Sequence, residues 1–405
     1  MTLPMFDADQ HYYEPDDAFT RYLPARFIEE NRAVRVIRTK DRPQGRLFFG
    51  DQKITFYGVN PVEATKEPGA LLKYFKTAAG TGNAVAGNVK ADDIPESRSR
   101  ELRVKWMREQ GVSGTLMFPT FGVGVEHQLQ ADVEALNAAL TAFNRWMEDD
   151  WGFGSPDSPI YCAPMLNLTD MAWAVAELER VLDAGARVVH LRPGPVAGTR
   201  SPADPAHDAF WARCAEAGVP VDFHLGNSGE SAYYSALWGE SPNPPNHRFS
   251  PFQRVTSFGE RAISDTLLAL VTHNLFGRIP DLKVMSIEHG CEWVGPLLKK
   301  MDRAARMCGP RDWPFGAVTE RPREVFKRHV LVSPFPEDNI LGLIELLGDD
   351  AVVAGSDWPH PEGEVVPRDF FAHLEGRVGD ETLRKVMHDN TAKVLGLQTA
   401  DARSS

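Results

Sequence analysis

Residues 160–224, IYCAPMLNLTDMAWAVAELERVLDAGARVVHLRPGPVAGTRSPADPAHDAFWARCAEAGVPVDFH, hold three short apolar runs, at 160–166, 187–191 and 219–224. Two stretches separate them, 171–184 and 206–217, in which apolar residues return every three or four positions, the period of a helix with one buried face. Gly185 and Gly218 follow these stretches where helix C-caps belong. Parallel strands need a crossover long enough to carry a helix, so strand, helix, strand, helix, strand predicts βα units in a parallel sheet.

The alternation continues on both sides. Further strands fit 5–9, 114–118, 283–288, 329–333 and 351–356, making eight, and helices fit 99–110, 131–147, 263–276, 291–307, 339–347 and 381–396. Eight strands with intervening helices, and no GxGxxG turn after an early strand, predict an α/β fold closed as a (β/α)8 TIM barrel. One domain over 1–400 is expected. Two insertions break the repeat, one after strand one at about 34–95 and one after strand five at about 227–258. The first contains a predicted hairpin at 46–56 and a Gly/Ala-rich stretch at 78–87; the second is rich in Ser, Pro, Asn and aromatics. Both are expected at the C-terminal face of the barrel, as lids, substrate walls or plain surface insertions.

Composition narrows the function classes. Over 405 residues the chain is 42% apolar and 25% charged, ordinary for a globular protein with a large core. A net charge of −12 without a long Lys/Arg run argues against a nucleic-acid partner. No uncharged apolar window is long enough to span a bilayer, and MTLPMFDADQHYYEP lacks a basic-then-apolar leader, so no membrane partner and a cytoplasmic location are expected. Cys162, Cys214, Cys291 and Cys308 form no CxxC pair, which predicts buried free thiols, neither a disulfide framework nor a thiolate zinc site.

Residues able to carry chemistry collect at the C-terminal ends of the proposed strands, where a barrel exposes side chains to its mouth. Strand one ends in Asp9-Gln10-His11, and alternation puts Asp9 and His11 on one side. Strand five ends in His224, strand six in Glu288-His289-Gly290, and strand eight in Ser356-Asp357-Trp358. Each signal alone has a plainer account: turn chemistry or an N-cap for D-x-H, and a hydrogen-bonded core residue for either histidine. A carboxylate closing a buried strand needs a cation, an arginine or several donors. Falling together at one rim, the nitrogen and oxygen ligands suit zinc, manganese or iron.

In DADQHYYEP (7–15), FHLGNSG (223–229), FGRIPDLKVMSIEHGCEW (276–293), GSDWPHPEG (355–363) and HDNTAKVLGL (388–397), the chain resembles the amidohydrolase superfamily. The resemblance is to its amidohydrolase-2 group of metal-dependent hydrolases and decarboxylases, related to aminocarboxymuconate semialdehyde decarboxylase. It implies Asp9, His11, His224 and Asp357 as metal ligands, with His289 and Asp357 as catalytic proton-handling groups. Many members carry His where Asp9 stands, and some carry Glu. A carboxylate there hardens the site and favours manganese over zinc. No lysine lies near His190-Leu191-Arg192 to form a bridging carbamate, so one divalent ion is expected, Zn2+ or Mn2+ with Fe2+ an alternative. Relatives are commonly dimeric, which implies a homodimer, with the helical surface at 297–307 a possible interface.

Softer expectations concern the substrate. Arg192 is expected either to clamp a substrate carboxylate or to form a structural salt bridge. His360 and Glu362 are expected at the mouth, and Phe118 and Trp358, with Phe121, Tyr233, Tyr234 and Trp238, against a ring-bearing molecule. Glu14 is expected to hold backbone donors or an arginine, while surface or core hydrogen bonding accounts for His127, His190 and His273. The activity expected is hydrolysis or non-oxidative decarboxylation of a small, carboxylate-bearing or aromatic molecule; the alternative is an inactive barrel that binds or scaffolds.

Overall fold

A computed structural model describes residues 3–56, 65–71, 89–245, 248–257 and 259–399. The Gly/Ala-rich stretch 78–87 lies outside the described residues. The barrel strands are β1 (Met5–Tyr12), β5 (Val112–Pro119), β6 (Ile160–Cys162), β7 (Met165–Leu166), β8 (Val189–Leu191), β9 (Val221–His224), β10 (Val284–Ile287) and β11 (Val330–Val332). All pair in parallel, in the orders β1-β5-β6 and β7-β8-β9-β10-β11.

The run predicted at 160–166 is thus divided by Ala163-Pro164, where proline has no N–H for the ladder. The turn between the two pieces still bonds on both sides, Ala163 N–H to Met117 O and His190 N–H to Pro164 O. Residues 352–358 join the two remaining edges. Val353 N–H donates to Val332 O at 3.1 Å, Ala8 N–H to Ala354 O at 2.8 Å, Asp357 N–H to Asp9 O at 2.9 Å, and His11 N–H to Trp358 O at 2.8 Å. These bonds complete the ring of a TIM barrel.

Two apolar layers follow from the period of two. Phe6, Ala8, Leu116, Phe118, Met285, Ile287, Leu331 and Val353 form a cluster inside the ring. Val221, Phe223, Val284, Val330, Val332 and Val352 face outward and pack with the helices. Helix Arg100–Gln110 starts on the Ser99 cap, and helix Asp208–Ala217 stops at Gly218, whose φ of 65° an L side chain would resist. Between β1 and β5 lies an antiparallel sheet of β2 (Val34–Thr39), β3 (Arg42–Phe49) and β4 (Gln52–Lys53). The hairpin predicted at 46–56 is its short second half; the longer pairing, Val34 opposite Phe49 to Thr39 opposite Arg42, lies before it. Cys162, Cys214 and Cys291 are buried free thiols, but Cys308 is exposed, because helix Val294–Met307 ends before it on the surface.

Candidate metal centre

The register of β1 on β5 slips between Asp7 and Gln10. Phe6 and Ala8 lie in the inner cluster below this slip, and Asp9 and His11 meet His224 and Glu288 above it. Asp7 and Gln10 brace the strand. The Asp7 carboxylate accepts from Ser356 N–H at 2.9 Å, Ser356 Oγ at 2.6 Å and Gln10 Nε2 at 2.8 Å. Arg103, fully buried, donates to Gln10 Oε1 at 2.9 Å and to the carbonyls of His11 and Glu96 at 2.7 and 2.8 Å. Burial pushes the Asp7 carboxyl up to about 7 and the Arg103 guanidinium down to about 9.

His11 Nδ1 lies 3.2 Å from the Pro119 carbonyl, and His224 Nδ1 lies 2.9 Å from that of Leu225. A carbonyl only accepts, so each Nδ1 carries a proton and each ring turns its Nε2 to the mouth, where loss of the second proton would free a lone pair for a cation. His11 Nε2 stands 3.4 Å from Asp9 Oδ1, 3.4 Å from Glu288 Oε2 and 3.3 Å from Asp357 Oδ1. His224 Nε2 stands 3.3 Å from Asp9 Oδ1 and 3.2 Å from Glu288 Oε2. Ligands bound at about 2.1 Å stand about 3.0 Å apart in an octahedron and about 3.4 Å apart in a tetrahedron, so the spacings suit a small divalent ion. His11 Nε2 is buried and has no hydrogen-bond partner, as a nitrogen aimed at a metal should be.

The electrostatics agree. Burial opposes charge on His11, but Asp9 and Glu288 outweigh it and raise the imidazole to about 10. Burial alone would raise Asp9, but His11 and His224 hold it down to about 2. The cluster therefore attracts positive charge, and a proton is what it holds when no cation is bound.

Four ligand atoms gather from Asp9, His11, His224 and Glu288, and a second, overlapping group comprises His11, Glu288, Asp357 and His360. Asp357 thus sits beside the first group, reaching it through His11 and Glu288. Burial, then the charges of Glu288 and Asp9, push its carboxyl well above the usual range. Asp357 Oδ1 is 2.7 Å from His360 Nδ1, and His360 Nε2 is 3.0 Å from Thr120 Oγ1. Thr120 donates its own hydrogen to Tyr12 O at 2.8 Å, so its oxygen accepts from His360 Nε2–H. That leaves one proton to be shared between Asp357 and His360 Nδ1. The His360 ring also stacks on His11, with centroids 3.9 Å apart.

The other predicted site residues are distributed differently. Phe118 is buried beneath the centre, its ring 4.5 Å from that of His224. Trp358 packs outward, 3.9 Å from the ring of Trp106 and beneath the Arg103 guanidinium. Arg192 is occupied by Glu126 at 3.0 Å and the Ser228 carbonyl at 2.8 Å. His289 lines a cleft with Leu225, Gly226 and Ser228; its Nε2 is buried without a hydrogen-bond partner, and burial, then nearby His224, keep the ring neutral. Glu14 accepts from the N–H groups of Phe121 and Gly122, and Glu362 is exposed. His190 pairs with Asp222 at 3.1 Å and His273 with Ser201 at 2.8 Å, while His127 is largely buried against Tyr233.

Sequence reasoning passed over Glu288. Met285 and Ile287 face the interior, so strict alternation would turn Glu288 outward. Its backbone is left-handed, with φ at 59°, and this turns the carboxylate into the mouth. The available signal was a carboxylate closing an apolar strand, the same that singled out Asp357, whose φ is 56°. Two non-glycine residues in this costly region at one rim are characteristic of functional sites.

The amidohydrolase family model, Amidohydro_2, matches residues 7–397. The chain belongs to that family. It is 37% identical to amidohydrolase map2389c from Mycobacterium avium subsp. paratuberculosis K-10, covering 98% of this chain and 99% of that one with a TM-score of 0.88. A dihydroxybenzoic acid decarboxylase from Polaromonas sp. JS666, solved with bound manganese and 2-nitroresorcinol, is 19% identical over 77% of this chain and 92% of that one, with a TM-score of 0.58. A 5-carboxyvanillate decarboxylase from Novosphingobium aromaticivorans DSM 12444, complexed with manganese and 4-hydroxy-3-methoxy-5-nitrobenzoic acid, is 15% identical over 98% of this chain and all of that one, at 0.61. No curated protein matches. This amidohydrolase-family chain is an enzyme of the hydrolase or carboxy-lyase type.

Proposed function

We propose that the chain works as one catalytic unit that holds a single divalent cation, Mn2+ in preference to Zn2+ or Fe2+, through Asp9, His11 and His224 with Asp357 beside them. It hydrolyses or decarboxylates a small organic, ring-bearing molecule. The observation that carries this is the pair of Nε2 atoms of His11 and His224, 3.2–3.4 Å from carboxylate oxygens of Asp9, Glu288 and Asp357. Manganese is supported by the carboxylate at Asp9 and by the bound manganese of the two decarboxylases that share the fold.

A divalent cation at this place supplies Lewis-acid stabilisation of negative charge developing on a substrate oxygen. Phe118 excludes water from beneath the reacting atoms. Asp357 and His360 hold the movable proton. In decarboxylation, the carbon–carboxyl bond breaks, its electron pair stays on the ring carbon, and that carbon takes the shared proton as carbon dioxide leaves. In hydrolysis the same pair takes a proton from the attacking water and returns it to the leaving group. His289, neutral and unpartnered at Nε2, faces the cleft as a hydrogen-bonding group for substrate. Arg192, being occupied, positions the loop at Ser228 and does not clamp a carboxylate.

A homodimer is supported by Leu237, Trp238 and Val255, which are apolar and mostly exposed on the segment after β9. At 297–307, Leu297, Leu298 and Met301 are instead buried within the chain. No helix among the described residues is long and apolar enough to cross a membrane. Elemental analysis of purified protein tests the reading: about one divalent ion per chain is expected in wild type and little in His224→Ala, and a metal-free wild type would refute it. Trapping carbon dioxide, set against 18O incorporation from labelled water, then assigns the reaction, because hydrolysis alone must place solvent oxygen in product.

A further inference from the structure

We infer that Glu288 is a further protein ligand of the cation, placed by its left-handed backbone, and that it shifts the preference of the centre from zinc towards manganese. The inference rests on the metal-dependent reading proposed above. Glu288 Oε2 lies 3.4 Å from His11 Nε2 and 3.2 Å from His224 Nε2, so it stands on the same point as the two imidazoles. Both rings spend their Nδ1 protons on carbonyls. Each of Asp9, His11, His224 and Glu288 brings one ligand atom to a common point, as a single cation requires.

The His11 ring bonds through Nδ1, so its buried Nε2, which faces three carboxylates, is left for a cation. The backbone points the same way: at φ 59°, Glu288 adopts a conformation that an L residue resists, which persists where the surroundings gain from it. Three carboxylates, Asp9, Glu288 and Asp357, then surround two imidazoles. An oxygen-rich, anionic donor set suits manganese better than one richer in nitrogen.

Calorimetric titration of metal-free protein with Mn2+ and, separately, Zn2+ tests this. Glu288→Gln keeps the side-chain shape and removes its charge; Mn2+ affinity is expected to fall by at least about tenfold, and Zn2+ affinity by clearly less. Unchanged Mn2+ affinity, or an equal loss for both ions, overturns the inference. If Glu288→Gln does not fold, judged by its thermal transition, Glu288→Asp keeps the charge but shortens the reach, and wild-type Mn2+ affinity in that variant overturns it equally. A wild-type protein that takes up neither ion overturns the metal-dependent reading itself, which separates the two failures.

Discussion

At the scale of single residues, the centre is decided by where protons sit. In metal-free protein His11 keeps its proton up to about pH 10, because Asp9 and Glu288 favour the imidazolium despite burial. A cation must displace that proton, so binding should release about one proton and strengthen by up to about tenfold per pH unit between about pH 6 and 8. Calorimetry in two buffers of different ionisation enthalpy reads the proton count; an affinity independent of pH contradicts it. The sign for stability is opposite. A raised histidine pKa stabilises the metal-free fold fully below the ordinary value of 6.5, and that contribution is lost as pH climbs through about 10. His360 should matter through Asp357. His360→Ala leaves the shared proton without its second holder, and turnover should fall by about 100-fold or more while bound metal stays near one per chain.

At the scale of elements, the site depends on how closely β1 and residues 352–358 approach. A Cβ at Gly355 would stand 2.6 Å from Asp9 Cβ and 2.7 Å from Ser333 Oγ, closer than real contacts allow. Gly355→Ala must push the two strands apart, at an expected cost of about 1–3 kcal/mol, with weaker metal binding because Asp9 moves. Denaturant unfolding beside a metal titration checks both effects. Arg192 acts between loops, joining Glu126 to the Ser228 carbonyl in a buried setting. Arg192→Met leaves the Glu126 charge buried and unpaired, so a loss of about 3–5 kcal/mol is expected in urea unfolding. A substitution that left stability intact but abolished substrate binding would restore the substrate-clamp role expected from the sequence.

At the scale of the molecule, the cation would tie together strand ends more than 340 positions apart in the chain, from Asp9 to Asp357. Anything bound only by the folded state stabilises it by mass action, by about 2.7 kcal/mol at a free concentration 100 times Kd. Addition of Mn2+ to metal-free protein should raise Tm by several degrees, and a chelator should reverse it. His224→Ala should show neither shift in differential scanning calorimetry.

The sequence by itself determined the parallel α/β barrel, because apolar period and glycine stops are local properties that each βα unit repeats. It also singled out Asp9, His11, His224 and Asp357, since each polar residue ends an apolar run and such positions fall at one rim. Only the tertiary structure decided which neighbours these groups have. Arg192 and Trp358 are polar or aromatic residues at strand ends like the rest, yet Glu126 engages one, and Trp106 with Arg103 the other. Glu288 was hidden for the converse reason: alternation assigns it to the outer face, and a left-handed φ, which no side-chain pattern encodes, turns it inward. Pairing across the ring, and the one backbone angle that breaks the period, arise from contacts between residues far apart in the chain.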